Sequence, residues 1–356
     1  MKKGNVIAER YTVKRLVGSG GMQDVYLADD NILGARVALK TPQAGQADRR
    51  FKQSAIVAAM VNHHNIAKTF DYLEENGKSF LVEEFVAGET LEDKITRFKV
   101  VDPHLGSRIL HHLCKGVAAS HHAGVVHRDL KPSNVMVAAG VNLEDLKITD
   151  FGIATLTEAV FEQAAEAGDL TRSTSGTIRG ALPYMAPEMM FRKPGDHPST
   201  PLDIWSIGAM MFRLLTGEYP FGVYLEAAVN VKNQTRRPWP AFMVSNPQFA
   251  PLSVELQEIV DSCLSYDPDD RPSADDLVVS CSRLCYNAAE REEGTISRFI
   301  QNGFSAFIDG PNGQVFSSME SVYGDRRPDL DKNRSVTYSK FPGFPAPRAH
   351  PLIVVN

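Results

Sequence analysis

A chain of 356 residues is long for a single hydrophobic core, so two lobes or domains are expected, and 43% hydrophobic residues are ample to fill them. The formal net charge of −5 gives no global attraction to nucleic acid or an anionic membrane, so only a local basic patch could serve either, and no nucleic-acid partner is expected. With no run of about 18 apolar residues, and an N-terminus, MKKGNVIAERY, lacking the apolar core of a secretory signal, a soluble cytoplasmic protein without a membrane span is expected.

Residues 11 to 40 alternate apolar and polar positions around a glycine cluster: Tyr11 and Val13, then Gly18, Gly20 and Gly21, then Val25 and Leu27, then Val37 and Leu39. Three antiparallel strands are expected, the first two joined by a glycine-rich turn and the last two by Asn31 to Gly34. Residues 47 to 61, alanine-rich without Gly or Pro, suit a helix. Ile66 to Phe70 and Phe80 to Val86 read as two more strands around the Asn76-Gly77 turn. Five strands and one helix make a small, mostly β lobe over residues 11–86.

Beyond Gly88 the period becomes helical. Leu105, Ile109, Leu113 and Val117 share one face, and Gly124 stands where a helix-ending glycine belongs. Asp203 to Leu215 and Pro251 to Leu264 read as further buried helices, so residues 87–288 form a larger, mostly α lobe. The expected class is α+β. From residue 289 glycine, proline and serine dominate, ending in KFPGFPAPRAHPLIVVN, with too many prolines for regular structure. Residues 289–356 are therefore expected to be a C-terminal tail, partly ordered or regulatory, with a small extra domain as the alternative. Cys114, Cys263, Cys281 and Cys285 lack zinc-site spacing and read as free thiols. The histidine pairs at 63/64, 111/112 and 121/122 make no zinc site either, because adjacent helical side chains point about 100° apart.

The strand FLVEEF, Phe80 to Phe85, poses a specific problem. Leu81, Glu83 and Phe85 share one face while Phe80, Val82 and Glu84 share the other, so neither face is free of charge. A buried carboxylate without a partner is costly, so at least one of these acids needs a cation or donor.

The densest chemistry lies in VVHRDLKPSNVMV, Val125 to Val137. It presents His127, Arg128, Asp129, Lys131 and Asn134 in a loop between apolar residues. LKITDFGIA follows, with Asp150 ahead of Phe151-Gly152, and APE stands at Ala186 to Glu188. Upstream lie GSGGMQDV from Gly18 and VALK ending at Lys40. These five motifs fall in the order of the protein-kinase signatures, and the chain resembles the bacterial-type serine/threonine protein kinases over roughly residues 11 to 285. The resemblance implies a bilobal protein-kinase-like fold and transfer of the ATP γ-phosphate to serine or threonine hydroxyls of a protein substrate. It also implies ATP with Mg²⁺ or, alternatively, Mn²⁺.

Phosphoryl transfer needs positioned phosphates, neutralised charge and an oriented hydroxyl, and each motif supplies one part. Gly18, Gly20 and Gly21 let the backbone cover the phosphates. Lys40 offers a point charge to the α- and β-phosphates, and its neighbour Ala38, taken to face the other way, leaves room above the adenine. Asn134 and Asp150 are oxygen donors suited to Mg²⁺. By resemblance, Asp129 orients the attacking hydroxyl and Lys131 assists at the transferring phosphate. Val25, Glu84, Val86 and Met136 line the nucleotide, and Glu188 pairs with Arg271 to brace the large lobe.

The pattern is broken in three places. Ser54 stands where the family places the helix glutamate that pairs with the lysine, and no acid occurs from Arg49 to Asn65. The partner of Lys40 is then expected to have migrated to Glu83, with Glu84 beginning the hinge; the competing reading pairs Lys40 with Asp150 alone. Gln23 replaces the third loop glycine. Ala181 takes a position usually held by threonine. These losses keep open the alternative of a nucleotide-binding pseudokinase scaffold or switch. Thr171, Ser173, Thr174, Ser175 and Thr177 form a hydroxyl cluster in the activation segment. Autophosphorylation is expected there, with Arg128 placed to receive the phosphate and self-association as a route to reaction in trans.

Overall fold

The computed structural model describes residues 1–19, 23–43, 48–151, 180–192, 199–300, 303–325 and 330–355. The small lobe is an antiparallel sheet of β1 (Val6–Ile7), β2 (Tyr11–Ser19), β3 (Gln23–Asp30), β4 (Ala35–Pro42), β5 (Thr69–Glu75) and β6 (Lys78–Glu84), in the order β1-β2-β3-β4-β6-β5. Helix α1 (Asp48–Ala59) lies on one face. Alternation along β6 sorts its residues as expected: Leu81 packs with Phe51 and Ala55 of α1, while Phe80 and Val82 join Tyr11, Val13 and Leu39 on the opposite face.

The strand expected at Ile66 to Phe70 begins only at Thr69. The residues before it tie the lobes together instead. Ile148 N–H donates to the Asn65 carbonyl at 2.8 Å, and Ala67 N–H donates to that of Ile148 at 2.9 Å. The Asn65 side-chain amide adds a bond to the Leu146 carbonyl. An apolar run cannot reveal that its backbone groups are spent on a distant segment.

The large lobe contains α2 (Leu91–Phe98), α3 (Pro103–His122), α4 (Pro201–Thr216), α5 (Ala250–Cys263) and α6 (Ala274–Arg283), with shorter helices between them. A three-stranded sheet, β7 (Gly88–Thr90), β8 (Val135–Ala138) and β9 (Leu146–Ile148), carries the loops of the cleft. Asp102 caps α3 by accepting from the N–H groups of His104 and Leu105, and Gly124 past its end has φ 72°. Every residue of α4 from Leu202 to Thr216 is buried, the signature of a helix at the centre of a lobe. Close packing against α5 depends on Gly208, where an added Cβ would meet Cys263 Cβ at 2.8 Å.

The expectation of an irregular tail is corrected. Residues 291–354 contain β10 (Arg291–Phe299), β11 (Ser305–Gly310), β12 (Gly313–Ser318), β13 (Ser335–Phe341) and β14 (Arg348–Val354), closed into a barrel in the order β10-β11-β12-β14-β13. Its interior is filled by Ile296, Ile308, Val315, Val336, Tyr338 and Leu352. The prolines are compatible with this because of where they fall. Pro342, Pro345 and Pro347 lie in the β13–β14 loop. Pro351 lies at a register shift between Tyr338↔Leu352 and Lys340↔Ala349, where the ladder is already interrupted.

The barrel is docked on the large lobe by core packing. Tyr323 and Ile353 belong to the large-lobe core, and Tyr323 Oη donates to the Leu215 carbonyl at 3.2 Å. The Phe249 ring stacks on His350 at 5.3 Å and meets Tyr323 edge-on at 5.2 Å. Arg291 forms a buried ion pair with Asp102, the α3 cap.

Burial lowers the pKa of His350, with His104 and Arg291 acting in the same direction and Asp102 opposing, and burial also lowers that of His104. For a histidine held neutral by the fold, stability is whole above the unfolded value of about 6.5 and is lost as the pH falls below it. Acidification from pH 7.5 to 5.5 is therefore expected to lower the melting temperature, and His350→Gln should flatten that slope. A melting temperature that is equally pH-dependent in the variant would remove His350 as a cause.

Candidate active site

Strand register builds the cleft. Across β4 and β6, Ala38 is opposite Glu83 and Lys40 is opposite Leu81. Residues two apart on a strand share a face, so Ala38 and Lys40 point the same way, which corrects the expectation that they diverge. The same rule turns Glu83 diagonally toward Lys40. Lys40 Nζ lies 2.5 Å from a Glu83 carboxylate oxygen and 2.7 Å from Asp150 Oδ1. The lysine thus has both candidate partners, one from its own sheet and one from the large lobe.

The side chains of Lys40 and Glu83 are 6% and 4% exposed, so their charges depend on one another. Burial works against the ammonium, but Asp150 and Glu83 together hold the Lys40 pKa above the ordinary lysine value. Burial pushes the Glu83 carboxyl up; Lys40 opposes this and the Asp150 charge adds to it. Asp150 would also be raised by burial, but Lys40, Gln23 and His127 hold it below the usual carboxylate range.

Gln23, in place of the third loop glycine, reaches into the centre of the cleft. Its Nε2 donates to Asp150 Oδ1 at 2.7 Å, the same oxygen that Lys40 approaches, while Thr149 Oγ1 lies 3.3 Å from Oδ2. A cation bound through Oδ1 must displace one of its two donors. Gln23→Ala is accordingly expected to tighten Mg²⁺-dependent nucleotide binding roughly tenfold, the worth of about 1.5 kcal/mol for a hydrogen bond to a charged group. Calorimetric titration checks this, and weaker binding would show that Gln23 serves the nucleotide.

The loop after Val125 is held from beneath by Asp203, fully buried at the start of α4. Its two carboxylate oxygens accept the N–H groups of His127 and Arg128, each at 2.8 Å, and His121 Nε2 lies 2.9 Å away. Burial would raise the Asp203 pKa, but these donors, His121 foremost, hold it low. Arg128 and Asp150 both adopt left-handed backbone, φ 66° and 64°, a conformation that costs non-glycine residues roughly 1–3 kcal/mol and needs such bracing. A lone acid in an otherwise apolar helix was the available signal for Asp203, and the motif reading did not assign it a role.

Lys131 Nζ donates to both oxygens of Asp129, at 3.0 and 2.7 Å. The Asn134 amide nitrogen donates to the Asp129 carbonyl at 2.7 Å and to its Oδ2 at 3.1 Å. Asn134 Oδ1 accepts no hydrogen bond among the described residues and is left for another ligand. Thr149 N–H donates to the Asn134 carbonyl at 2.9 Å, binding this loop to the strand end that carries Asp150. An amide oxygen and a carboxylate are hard donors that fit Mg²⁺ in a site completed by phosphates and water.

Around this centre, Val25 lies opposite Lys40 on the β3–β4 ladder, and Met136 lies on β8 between Thr90 and Lys147. Val86 follows β6 and is half-buried. The Glu84 carboxylate turns away from Lys40, 3.1 Å from Lys147. Gly18, next to last in β2, lies opposite Val25, and a Cβ there would meet nothing within 4 Å, so the chain itself does not demand glycine at this point. Glu188 and Arg271 form the expected bidentate pair at 2.7 and 2.9 Å. Ala181 is buried in the large-lobe core and brings no hydroxyl. Gly20, Gly21, Gly152, Thr171, Ser173, Thr174, Ser175 and Thr177 lie outside the described residues, as does the side chain of Ser54.

The family model for the protein kinase domain matches residues 11–280. This chain belongs to the protein kinase family. The kinase is 34% identical over 233 residues to the serine/threonine-protein kinase PrkC of Bacillus subtilis, an alignment covering 64% of this chain and 33% of that protein. It is 32% identical over 356 residues to the serine/threonine-protein kinase pkn2 of Myxococcus xanthus, covering 97% of this chain and 40% of the relative. With the probable serine/threonine-protein kinase PknB of Corynebacterium glutamicum it shares 30% identity over 293 residues, 80% of this chain and 43% of that one. The kinase thus spans less than half the length of each of these relatives. No helix among the described residues is long and apolar enough to cross a membrane.

Proposed function

We propose that this kinase transfers the ATP γ-phosphate to serine or threonine hydroxyls of proteins. The observation that carries the reading is the convergence of Lys40, Asp150, Asn134 and Asp129 on one cleft, linked by the contacts described above. ATP with Mg²⁺, or with Mn²⁺ in its place, supplies the phosphoryl group and the counter-charge when bound. Asp150 and Asn134 Oδ1 would hold the metal ion, and Lys40 would engage the phosphates while Glu83 keeps it charged and placed. Asp129 would accept or orient the proton of the incoming hydroxyl, and Lys131 would neutralise charge beside it. Val25, Ala38, Glu84, Val86 and Met136 are the proposed walls of the adenine pocket.

Transfer of radiolabelled phosphate from ATP to a generic protein substrate tests the reading. Activation-segment autophosphorylation at Thr171, Ser173, Thr174, Ser175 or Thr177, with self-association for reaction in trans, is part of the proposal, and mass spectrometry after incubation with ATP and Mg²⁺ addresses it. A second reading, a nucleotide-responsive scaffold or switch with little catalysis, is favoured by the hold of Gln23 on Asp150. Nucleotide binding without transfer would establish it.

A further inference from the structure

The small lobe and the barrel face one another across a second cleft, on the far side of the hinge from the nucleotide. Lys40, Ala38 and Arg36 share one face of β4, so a single row runs from the phosphate end of the strand, over the proposed adenine walls, to its outer end. β6 leaves the sheet after the Val37↔Glu84 pair, which places the start of the hinge between Ala38 and Arg36 along that row. Beyond it lies a cleft of about 850 Å³, lined by Phe85, Ala87 and Gly88 of the hinge but by none of Val25, Ala38, Val86 and Met136. Arg15 and Arg36 of the small lobe line one side, and Glu292, Glu293 and Pro311 of the barrel line another.

Most charges in this cleft are already committed. Glu89 holds Lys94 at 2.8 Å and Arg97 at 2.6 Å, and Arg291 is paired with Asp102. Glu292 accepts from Asn312 Nδ2 at 3.1 Å and Tyr338 Oη at 3.3 Å. The side chains of Arg15, Arg36 and Glu293 are different: all three residues are exposed, and none of these side chains has an ion pair or hydrogen bond among the described residues. Two free cations of the small lobe thus share a cleft with one free anion of the barrel. A space of this volume is on the order of 10 Å across, close to the Debye length of about 8 Å at physiological salt, so the opposed charges attract.

The consequence follows from leverage. The small lobe turns on the hinge, with Arg36 on one arm of β4 and Lys40 on the other. Drawing Arg36 toward Glu293 narrows the outer cleft and lifts Lys40 from Asp150, and parting them does the reverse. The structure agrees with this opposition, since Lys40 touches Asp150 at 2.7 Å while no ion pair among the described residues bridges the outer cleft.

We propose that Arg15 and Arg36 with Glu293 form an ionic restraint through which the docked barrel sets the angle of the small lobe. Glu293 is thereby a positioning residue for Lys40. The effect on ATP rests on the function proposed above; the effect on the lobe angle does not. The test is the distance between nitroxides on Cys285, the exposed one of the four cysteines, and on Leu33→Cys, at an exposed turn on the outer end of the small lobe, measured by electron double resonance in the full chain. Glu293→Arg and Arg15→Glu/Arg36→Glu, each placing like charges across the cleft, are both expected to lengthen that distance. The two reversals combined restore opposite charges and should return it to the parent value, which general loosening of the fold would not do. ATP binding, followed by calorimetry, should tighten about threefold in each reversal and return in the combination, the scale of an exposed ion pair acting on the competent population. Distances that stay the same or shorten in the reversals, or that fail to return in the combination, overturn the restraint. Distances that lengthen and return while ATP binds to no variant uphold it and remove the nucleotide reading instead.

Discussion

Glu83→Gln is expected to lower kcat/KM for phosphate transfer about 100-fold while leaving the chain folded. Lys40 lies between two carboxylates, and in the wild type the pull of Asp150 from the large lobe is balanced by Glu83 from the adjacent strand. Neutralising Glu83 leaves a buried ammonium attached to Asp150 alone, the residue that must turn to a metal ion. Loss of one partner from a buried pair costs about 3 kcal/mol or more, which is roughly a 100-fold change in rate when it falls on the transition state. The acid limb of the rate profile gives a second reading. Burial pushes the Glu83 carboxyl up, so activity in the wild type should fail on acidification above the ordinary glutamate value of about 4.3, and this limb should move to lower pH in the variant. Wild-type rates from a folded Glu83→Gln protein would sink the assignment of Glu83 as the lysine's working partner.

The second large effect is expected at Asp129. Asp129→Asn should reduce transfer by about 10²- to 10⁴-fold, the usual worth of a positioned general base, with nucleotide affinity nearly unchanged. The aspartate is gripped by Lys131 on both oxygens and by Asn134 on Oδ2. An asparagine has the same shape, but it loses the charge and one of the two acceptor oxygens, so a donor of this network is left facing an amide N–H. The same variant should abolish any phosphate found in the activation segment by mass spectrometry. Transfer that persists at the wild-type rate would move the chemistry away from this loop.

Much of the site was legible because its groups are close neighbours in the chain. Asp129, Lys131 and Asn134 lie within six residues, and a loop that short places their side chains together whatever the rest of the fold does. The period-2 alternation of Phe80 to Phe85 likewise predicted which faces its residues would take. Ala38 and Lys40, two apart on β4, obey the same alternation and share a face. Gln23 and Asp203 were missed as working parts because their partners, Asp150 and the His127–Arg128 backbone, are far away in sequence, and a contact of that kind leaves no local trace.

The barrel was illegible for a different reason. Its strands are short and only every second residue enters a small core, while the prolines that suggested irregular chain are confined to a loop and a register shift. By itself the sequence determined the family, the two unlike lobes and the identity of the groups that would meet a triphosphate, since local spacing encodes all of these. Tertiary structure alone decided that Lys40 has two carboxylate partners, that Gln23 occupies Asp150, and that residues 291–354 close and dock. Each is a matter of long-range register and of which charges become buried together, and the energies that select them exist only once the chain is packed.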